Sequence, residues 1–492
     1  MCLPKTVEAA TIQRIATIVG NLLCLNFGLM FGITPAHMEL YQLAETPLNR
    51  PIGHNDAAWI SGYLFLCAAI GSLLCGLISA KIGPKSVLLL SGLLQISSWF
   101  VIHFGYDIVH IHASRATAGI AAGAAFAVLP IFINEIAEEH NRASLIESID
   151  IWRSFGILVG FALGSYLDYN YVNIVGICVS FVFTMTFPFI QESPLYYKRK
   201  GDMPSLEKSL RWFRGIRDFD DREKPEFVRE LNEFKGGIVT TMENGVCHLQ
   251  QPISDVPMPR TYLLYLLVTC LVLVLGAQFS GIFVILNYAV EVFAEFKLNL
   301  PVEQAVLTLA AMQYIGAIVA SWIGEKINRR ILLCITAFIC GLSLCSLAVF
   351  ISYGSNWQLN PIYVPWLPLG LLSLHMLVAN IGLFPLASII ISELLPLKLR
   401  TTLTSITTAL SWLLAFLLIK FFYPLTAVIG LVGCYYLFAG FSIFVAVFAL
   451  TFLPETRGRS LDDVQYAMGY VANGSVAKMT EVKNGHINNS YI

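Results

Sequence analysis

Twelve separate runs of mostly apolar residues, each long enough for a helix to cross a bilayer core of roughly 20 residues, govern what this chain can become. They fall near Thr17–Pro35, Ala57–Ala80, Ser86–Phe104, His110–Ile133, Ile149–Leu167, Val172–Ile190, Tyr262–Phe293, Glu303–Ile323, Arg330–Tyr353, Val364–Ser392, Leu403–Phe422 and Val428–Leu453. A soluble chain of 492 residues would divide into about three domains and use roughly 25% charged residues to coat them. Here 56% of residues are apolar and 13% are charged, with a mean hydropathy of +0.69. So few polar side chains cannot coat three cores in water, and the solvent for most of the surface is lipid. The expected fold is all-α: a multi-pass membrane protein of twelve transmembrane helices. A secreted enzyme, a nucleic-acid binder and a disordered scaffold are excluded, and a net charge of −1 offers polyanions no general attraction. The first run carries no cleavage-site pattern after it and is read as a span, not a signal peptide. Cys24, Cys67, Cys75, Cys178, Cys334, Cys340 and Cys345 sit inside apolar runs and read as small core hydrophobes.

Lysine and arginine set the orientation. With the N-terminus in the cytoplasm, the inner connections hold Lys81, Lys85, Arg142, a dozen basic residues between Lys198 and Arg260, Lys326, Arg329, Arg330, Lys398 and Arg400. The outer ones hold Arg50 and Lys297. Both termini are therefore expected inside. One long hydrophilic connection, residues 191–260, separates a first half (1–190) from a second (261–453). Pro204–Phe213 and Glu226–Phe234 place apolar residues at helical spacing among charges, which predicts short amphipathic helices there. The polar tail, 454–492, is expected to be largely disordered. Its sequons at Asn473 and Asn488 face the cytosol and are expected to stay unglycosylated.

The two halves repeat. Lys81–Lys85 after the second span matches Lys326–Arg330 after the eighth, displaced by 245 residues. Glu135 with Arg142 at the end of span four matches Glu393 with Arg400 at the end of span ten, displaced by 258. Glu192 after span six matches Glu455 after span twelve, displaced by 263. Parallel repeats around a midplane site are one transporter architecture. A generic basic rim would not place a glutamate seven residues before an arginine at both helix ends. The functional reading is a set of carboxylate–guanidinium latches that close the two halves across the inner surface, with arginine suited by its fixed fork.

These residues make the chain resemble the sugar porter family of the major facilitator superfamily, with a pattern similar to insect facilitated sugar and trehalose transporters. The marks are Arg115-x3-Gly119-x3-Gly123 leading to Pro130 and Glu135, then Glu192-Ser193-Pro194, Gln278-Phe279-Ser280-Gly281-Ile282, Glu325–Arg330, Glu393–Arg400, Trp412 and Pro454-Glu455-Thr456-Arg457-Gly458-Arg459. The resemblance implies the major facilitator fold, two six-helix halves in a plasma membrane, and alternating-access transport of a sugar or sugar-like solute. It implies gating roles for Arg115, Glu135, Arg142, Glu192, Glu325, Arg329, Arg330, Glu393, Arg400 and Glu455, with Arg115 contacting the cytoplasmic gate. It also implies a solute site at Gln278, Gln313, Asn380, Ser154, Ser411, Trp412 and Phe283.

That site departs from the family pattern. Ala277 stands where one of two glutamines is usual, Phe283 for an asparagine, Gln313 for an asparagine, Ser154 for a glutamine, Ser411 for an asparagine and Asn380 for an acid. The Pro-x-Pro-Trp of span ten reads Pro385-Leu386-Ala387-Ser388. A sugar needs amides and hydroxyls for its OH groups and an aromatic face for its C–H side. The departures point to a different solute, or to a sensor that binds without cycling. Gly83-Pro84-Lys85 replaces the family's basic loop, which predicts a looser clamp in the first half.

Charges at membrane depth are costly and by default functional. Arg153 has no family counterpart and is read as pairing with Asp150. His375 reads as a core histidine and Lys420 as snorkelling. The family's proton-coupled members carry an acid in span one, whereas Phe27–Thr34 has none, so a proton symporter lacks its expected carrier. No phosphate loop, metal-spaced cluster or catalytic triad is present in the sequence, which predicts no cofactor, no metal and no enzyme.

Overall fold

The computed structural model describes residues 9–44, 46–216, 225–234, 240–243, 246–249, 260–295, 300–324, 326–353, 366–395, 400–455 and 457. Twelve membrane-length elements run through them. The first half comprises Ala9–Gly32 (span one, prolonged by Thr34–Gln42), His54–Ile82 (two), Pro84–Phe104 (three), Ile108–Ile136 (four), Glu139–Tyr166 (five) and Tyr169–Thr186 (six). The second comprises Arg260–Phe279 (seven, resumed as Ile282–Asn287 and Ala289–Glu295), Val302–Ile323 (eight) and Arg329–Tyr353 (nine). Span ten follows as Trp366–Val378, Ala379–Leu383 and Phe384–Leu394, then Arg400–Lys420 (eleven) and Phe422–Thr451 (twelve). The central connection carries three short helices, Pro194–Lys200, Met203–Phe213 and Pro225–Phe234, and a two-stranded ribbon, Thr240–Glu243 with Val246–Leu249. That ribbon is the one departure from an all-helical fold among the described residues.

Eleven of these helices are long and apolar enough to cross a membrane by composition. Span five is the twelfth, and it starts ten residues before the expected Ile149. The early turns hold Glu139, Arg142, Glu147, Asp150 and Arg153, so hydropathy alone sees only its second half. Two seams join the halves: span two packs on span eleven, and span five on span eight. Exchanging the halves, two for eight and eleven for five, turns one seam into the other, as a two-fold relation between halves requires.

Within the first half, spans one and five cross at backbone contact. A Cβ on Gly28 would stand 2.3 Å from the Arg153 carbonyl, and one on Gly156 would stand 2.2 Å from that of Leu25. Gly32 and Gly160 repeat the approach one turn later. Small residues four apart on both helices let the backbones touch, and this crossing fixes where Arg153 stands. The Gly119 and Gly123 of the Arg115 motif do the same for span four, against the Leu64 and Ala68 carbonyls of span two at 2.4 and 2.0 Å.

The loop helices form as their apolar spacing predicts. Leu206, Leu210 and Phe213 are buried beneath the basic end of the bundle, and Leu210 packs with Ile216 and Phe227. Asp202 caps Met203–Phe213 by accepting from the Ser205 N–H at 3.1 Å, and this exposed carboxyl is held below its ordinary range by that hydroxyl and backbone donor. Arg214 donates to the Ile136 carbonyl at 2.9 Å, closing the end of span four. The nine described cysteines are free thiols. Cys24, Cys67 and Cys340 are buried, Cys75, Cys334 and Cys345 half-buried, and Cys178 is exposed on the lipid-facing surface.

Candidate functional site

A cavity of about 180 Å³ lies between the halves, walled by spans four, five, seven, ten and eleven. It reaches from Trp412 and Phe283 down to Asn134, Ser392 and Thr404, close to the end that carries the basic connections. Toward the opposite end an aromatic roof closes it. The Phe283 ring centre lies 5.7 Å from Phe31 and 5.3 Å from Phe65 of the first half, and 5.6 Å from Phe384 and 6.0 Å from Trp412 of the second. Trp412 continues the layer onto Phe27 and Phe126 at 5.3 and 5.4 Å. Rings from both halves thus meet edge-on, the geometry that aromatic quadrupoles favour.

Span seven delivers Phe283 because it breaks. The helix stops at Phe279, Gly281 turns with φ +81°, and Ile282 starts a new segment. A left-handed residue is readily accommodated only as glycine. Here a side chain would also meet Phe438 at 2.7 Å. One turn before the break, Gln278 donates to Ser411 Oγ at 2.6 Å.

Three buried polar groups on this wall have no protein partner: Gln278 Oε1, Trp412 Nε1 and Arg153 Nη1. An orphan of this kind costs about 1–3 kcal/mol. Span eleven adds Thr404, Thr407, Thr408 and Ser411 along one face. Of the expected solute residues, Gln278, Ser411, Trp412 and Phe283 are brought together here. Ser154 and Gln313 are fully buried, carry unpartnered polar atoms and line no part of the cavity. Asn380 is also outside it. Its Oδ1 accepts from Arg153 Nη2 at 3.3 Å and its Nδ2 donates to Met376 O at 2.9 Å, within a π-turn of span ten. The rotation of span five is set by its glycine crossing with span one, and that of spans eight and ten by the approach of Gly316 to the Leu377 carbonyl, neither of which spacing within one motif gives.

The expected latches resolve differently. Glu135 pairs with Arg199 at 2.7 Å and accepts from Ser193 Oγ, while Arg142 donates to the Ala137 carbonyl at 3.4 Å. Glu393 takes Arg329 at 2.9 Å. The side chain of Arg400 and the whole of Glu325 lie outside the described residues. Among the described residues, the contacts of Glu135 and Arg142 stay within the first half and its loop, and Glu393 meets Arg329 within the second. Glu192 accepts the N–H of Lys85 at 3.0 Å, and Glu455 accepts those of Arg329 and Arg330 at 3.1 and 3.3 Å. Each half's closing glutamate therefore caps the start of its third helix, where the helix dipole favours an anion. The Pro84 loop keeps this contact because it uses the backbone, and Lys85 Nζ adds the Pro188 carbonyl at 2.9 Å. Burial raises the Glu192 carboxyl above its ordinary range.

Arg115 is not at that end. It lies about 30 Å from Glu135 along span four at 1.5 Å per residue, where Nη1 donates to the Met30 carbonyl at 3.0 Å and Thr34 Oγ1 at 2.8 Å. Chain direction explains the correction: span four runs toward the basic end, so its early residues sit at the other one. His375 is fully buried, with neither ring nitrogen partnered. Sequence reading also missed the threonine face of span eleven. Its spacing of three, one and three residues on an apolar helix was the available signal.

Residues 15–468 match the sugar (and other) transporter family. The chain belongs to that family. Among its relatives, the facilitated trehalose transporter Tret1 of Culex quinquefasciatus is 26% identical over 429 residues, 87% of this chain and 80% of that one. The Tret1 of Apis mellifera ligustica is 25% identical over 456 residues, 92% of this chain and 88% of that one. The xylose transporter XylE from E. coli, solved in an inward-open conformation, shares the fold with a TM-score of 0.69 at 18% identity, over 92% of this chain and 98% of that one. The transporter family accounts for the twelve-helix fold, and its members are carriers, not enzymes.

Proposed function

We propose that the protein is a facilitative carrier of a sugar or sugar-like polyol, working by alternating access in a plasma membrane with both termini in the cytoplasm. Residues 1–190 and 261–453 rock as two bodies, joined by the 191–260 connection and followed by the 454–492 tail. The observation that carries this reading is the cavity wall: three buried, unpartnered polar groups beneath an aromatic roof, an arrangement complementary to a hydroxylated ring. The relatives named above are trehalose transporters and the structural neighbour is a xylose transporter, which supports the same solute class. The cavity reaches the basic end and is roofed at the other, so the state described is open toward the cytoplasm under this orientation. Gln278, Ser411, Trp412 and Phe283 contact the solute. Glu135, Glu192, Arg329, Arg330, Glu393 and Glu455 organise the inner ends of the halves.

Coupling to protons is disfavoured by the environment of Arg115, whose acceptors are a carbonyl and a hydroxyl where a carboxylate would be needed to trade a proton. The test is uptake of a sugar panel into vesicles of the purified protein. Saturable uptake that equilibrates and persists after the pH gradient is dissipated is expected; uphill accumulation that collapses with the gradient would refute facilitation. Binding without uptake would identify a sensor instead. In the same assay Gln278→Ala should weaken affinity roughly 5- to 100-fold, the range for an unreplaced buried hydrogen bond, with unchanged yield of folded protein.

A further inference from the structure

We propose that Asp150 and Arg153 form a charge-balanced reader of the solute, which makes the cavity select neutral polyols over acidic or basic ones. This inference rests on the reading of the cavity as the solute site. The two residues stand one helical turn apart on span five and are the only charged residues lining the cavity among those described. Arg153 is 1% exposed. Its Nε donates to Asp150 Oδ1 at 2.9 Å, its Nη2 reaches Asn380 Oδ1 at 3.3 Å, and its guanidinium carbon lies 4.7 Å from the centre of the Phe384 ring. Three contacts from two helices thus fix the plane of the fork, and Nη1 is left buried without a partner.

Asp150 is the complement. Its side chain is 24% exposed, and its Oδ2 accepts no hydrogen bond among the described residues. The wall therefore presents a fixed donor beside a fixed acceptor. Adjacent hydroxyls match that pattern, one accepting from Nη1 and the other donating to Oδ2, because each hydroxyl can do either. A carboxylate would meet Oδ2, and an ammonium would meet the guanidinium. Either adds an unbalanced charge to a wall that already sums to zero, and an uncompensated charge away from water is costly.

The experiment measures equilibrium binding of D-glucose, trehalose, D-glucuronate and D-glucosamine to the full-length protein. The wild-type chain should prefer a neutral sugar by about tenfold or more. Asp150→Asn leaves the guanidinium unbalanced and should shift preference toward glucuronate by about tenfold. Arg153→Gln should shift it toward glucosamine, and the double variant should return it to neutral sugars. Wild-type protein that binds glucuronate or glucosamine as tightly as glucose overturns the inference without any variant. Single variants that elute and melt like the wild type yet keep its order of preference also overturn it. Wild-type protein that binds none of the four overturns the solute-site reading itself, and the inference with it.

Discussion

At the scale of residues, the pocket is defined by what its side chains leave undone. Trp412 is the clearest case, because its ring belongs to the roof while its Nε1 has no partner. Trp412→Phe keeps a ring for Phe27, Phe65 and Phe283 to pack on and removes the one donor. Binding should weaken by roughly 5- to 100-fold, with a melting temperature close to that of the wild type; unchanged affinity would show that the indole N–H faces no solute. Half of this wall was legible beforehand. Gln278 and Trp412 stand in recognisable motifs with Ser411 beside Trp412, whereas the spacing of Thr404, Thr407 and Thr408 on the same face of span eleven went unread. Ser154, Gln313 and Asn380 were misplaced because a helix with one face in the bundle and the other toward lipid is apolar all round and gives no hydrophobic periodicity from which its rotation can be read. Arg153 was paired correctly with Asp150, yet its place on the cavity wall depends on a contact with Asn380, 227 positions away.

At the scale of elements, two helices are shaped by glycine and one is hidden by charge. The crossing of spans one and five depends on Gly28, Gly32, Gly156 and Gly160, where no side chain fits between the backbones. Gly156→Leu should therefore sharply reduce the yield of monodisperse protein, because the Leu25 carbonyl at 2.2 Å cannot move without the whole helix. Gly201→Ala is the control. It lies at a helix end with nothing within 4 Å, so its cost should be only the roughly 1 kcal/mol of a left-handed residue. Comparable yields for Gly156→Leu and that control would show that the crossing tolerates separation. Apolar length located all twelve spans, but it placed the start of span five at Ile149, ten residues late. Its half toward the basic connections is ionic, so hydropathy shows only the other half of the single helix Glu139–Tyr166. Span seven reads as one run of apolar residues but folds as three segments, and Gly281 is the residue that announces the break.

At the scale of the whole molecule, two seams hold the halves and one of them carries a cation. Lys420 at the end of span eleven donates to Asn55 Oδ1 of span two at 2.9 Å and lies 4.4 Å over the Trp59 ring, while Trp59 also meets Phe416 at 6.1 Å. This cluster sits at the end away from the basic connections, where the cavity is roofed. Lys420→Met keeps the aliphatic stem and removes about 2 kcal/mol of cation–π and charged hydrogen-bond interaction, which would move the balance between the two open states roughly 30-fold toward the outward one. Labelling of a cysteine introduced at Phe416 by an impermeant reagent from outside should speed up; an unchanged rate would show that the seam does not gate. The roof beside it also has an electrical meaning. The packed rings exclude ions, so the voltage across the membrane falls mainly over this thin layer and not along the cavity below it. Each elementary charge driven through it would exchange about 2.3 kcal/mol per 100 mV. A neutral sugar exchanges nothing, and the opposite charges of Asp150 and Arg153 cancel, so under the proposed function the resting potential of a cell exerts no pull on the load and the concentration ratio alone sets the direction of transport.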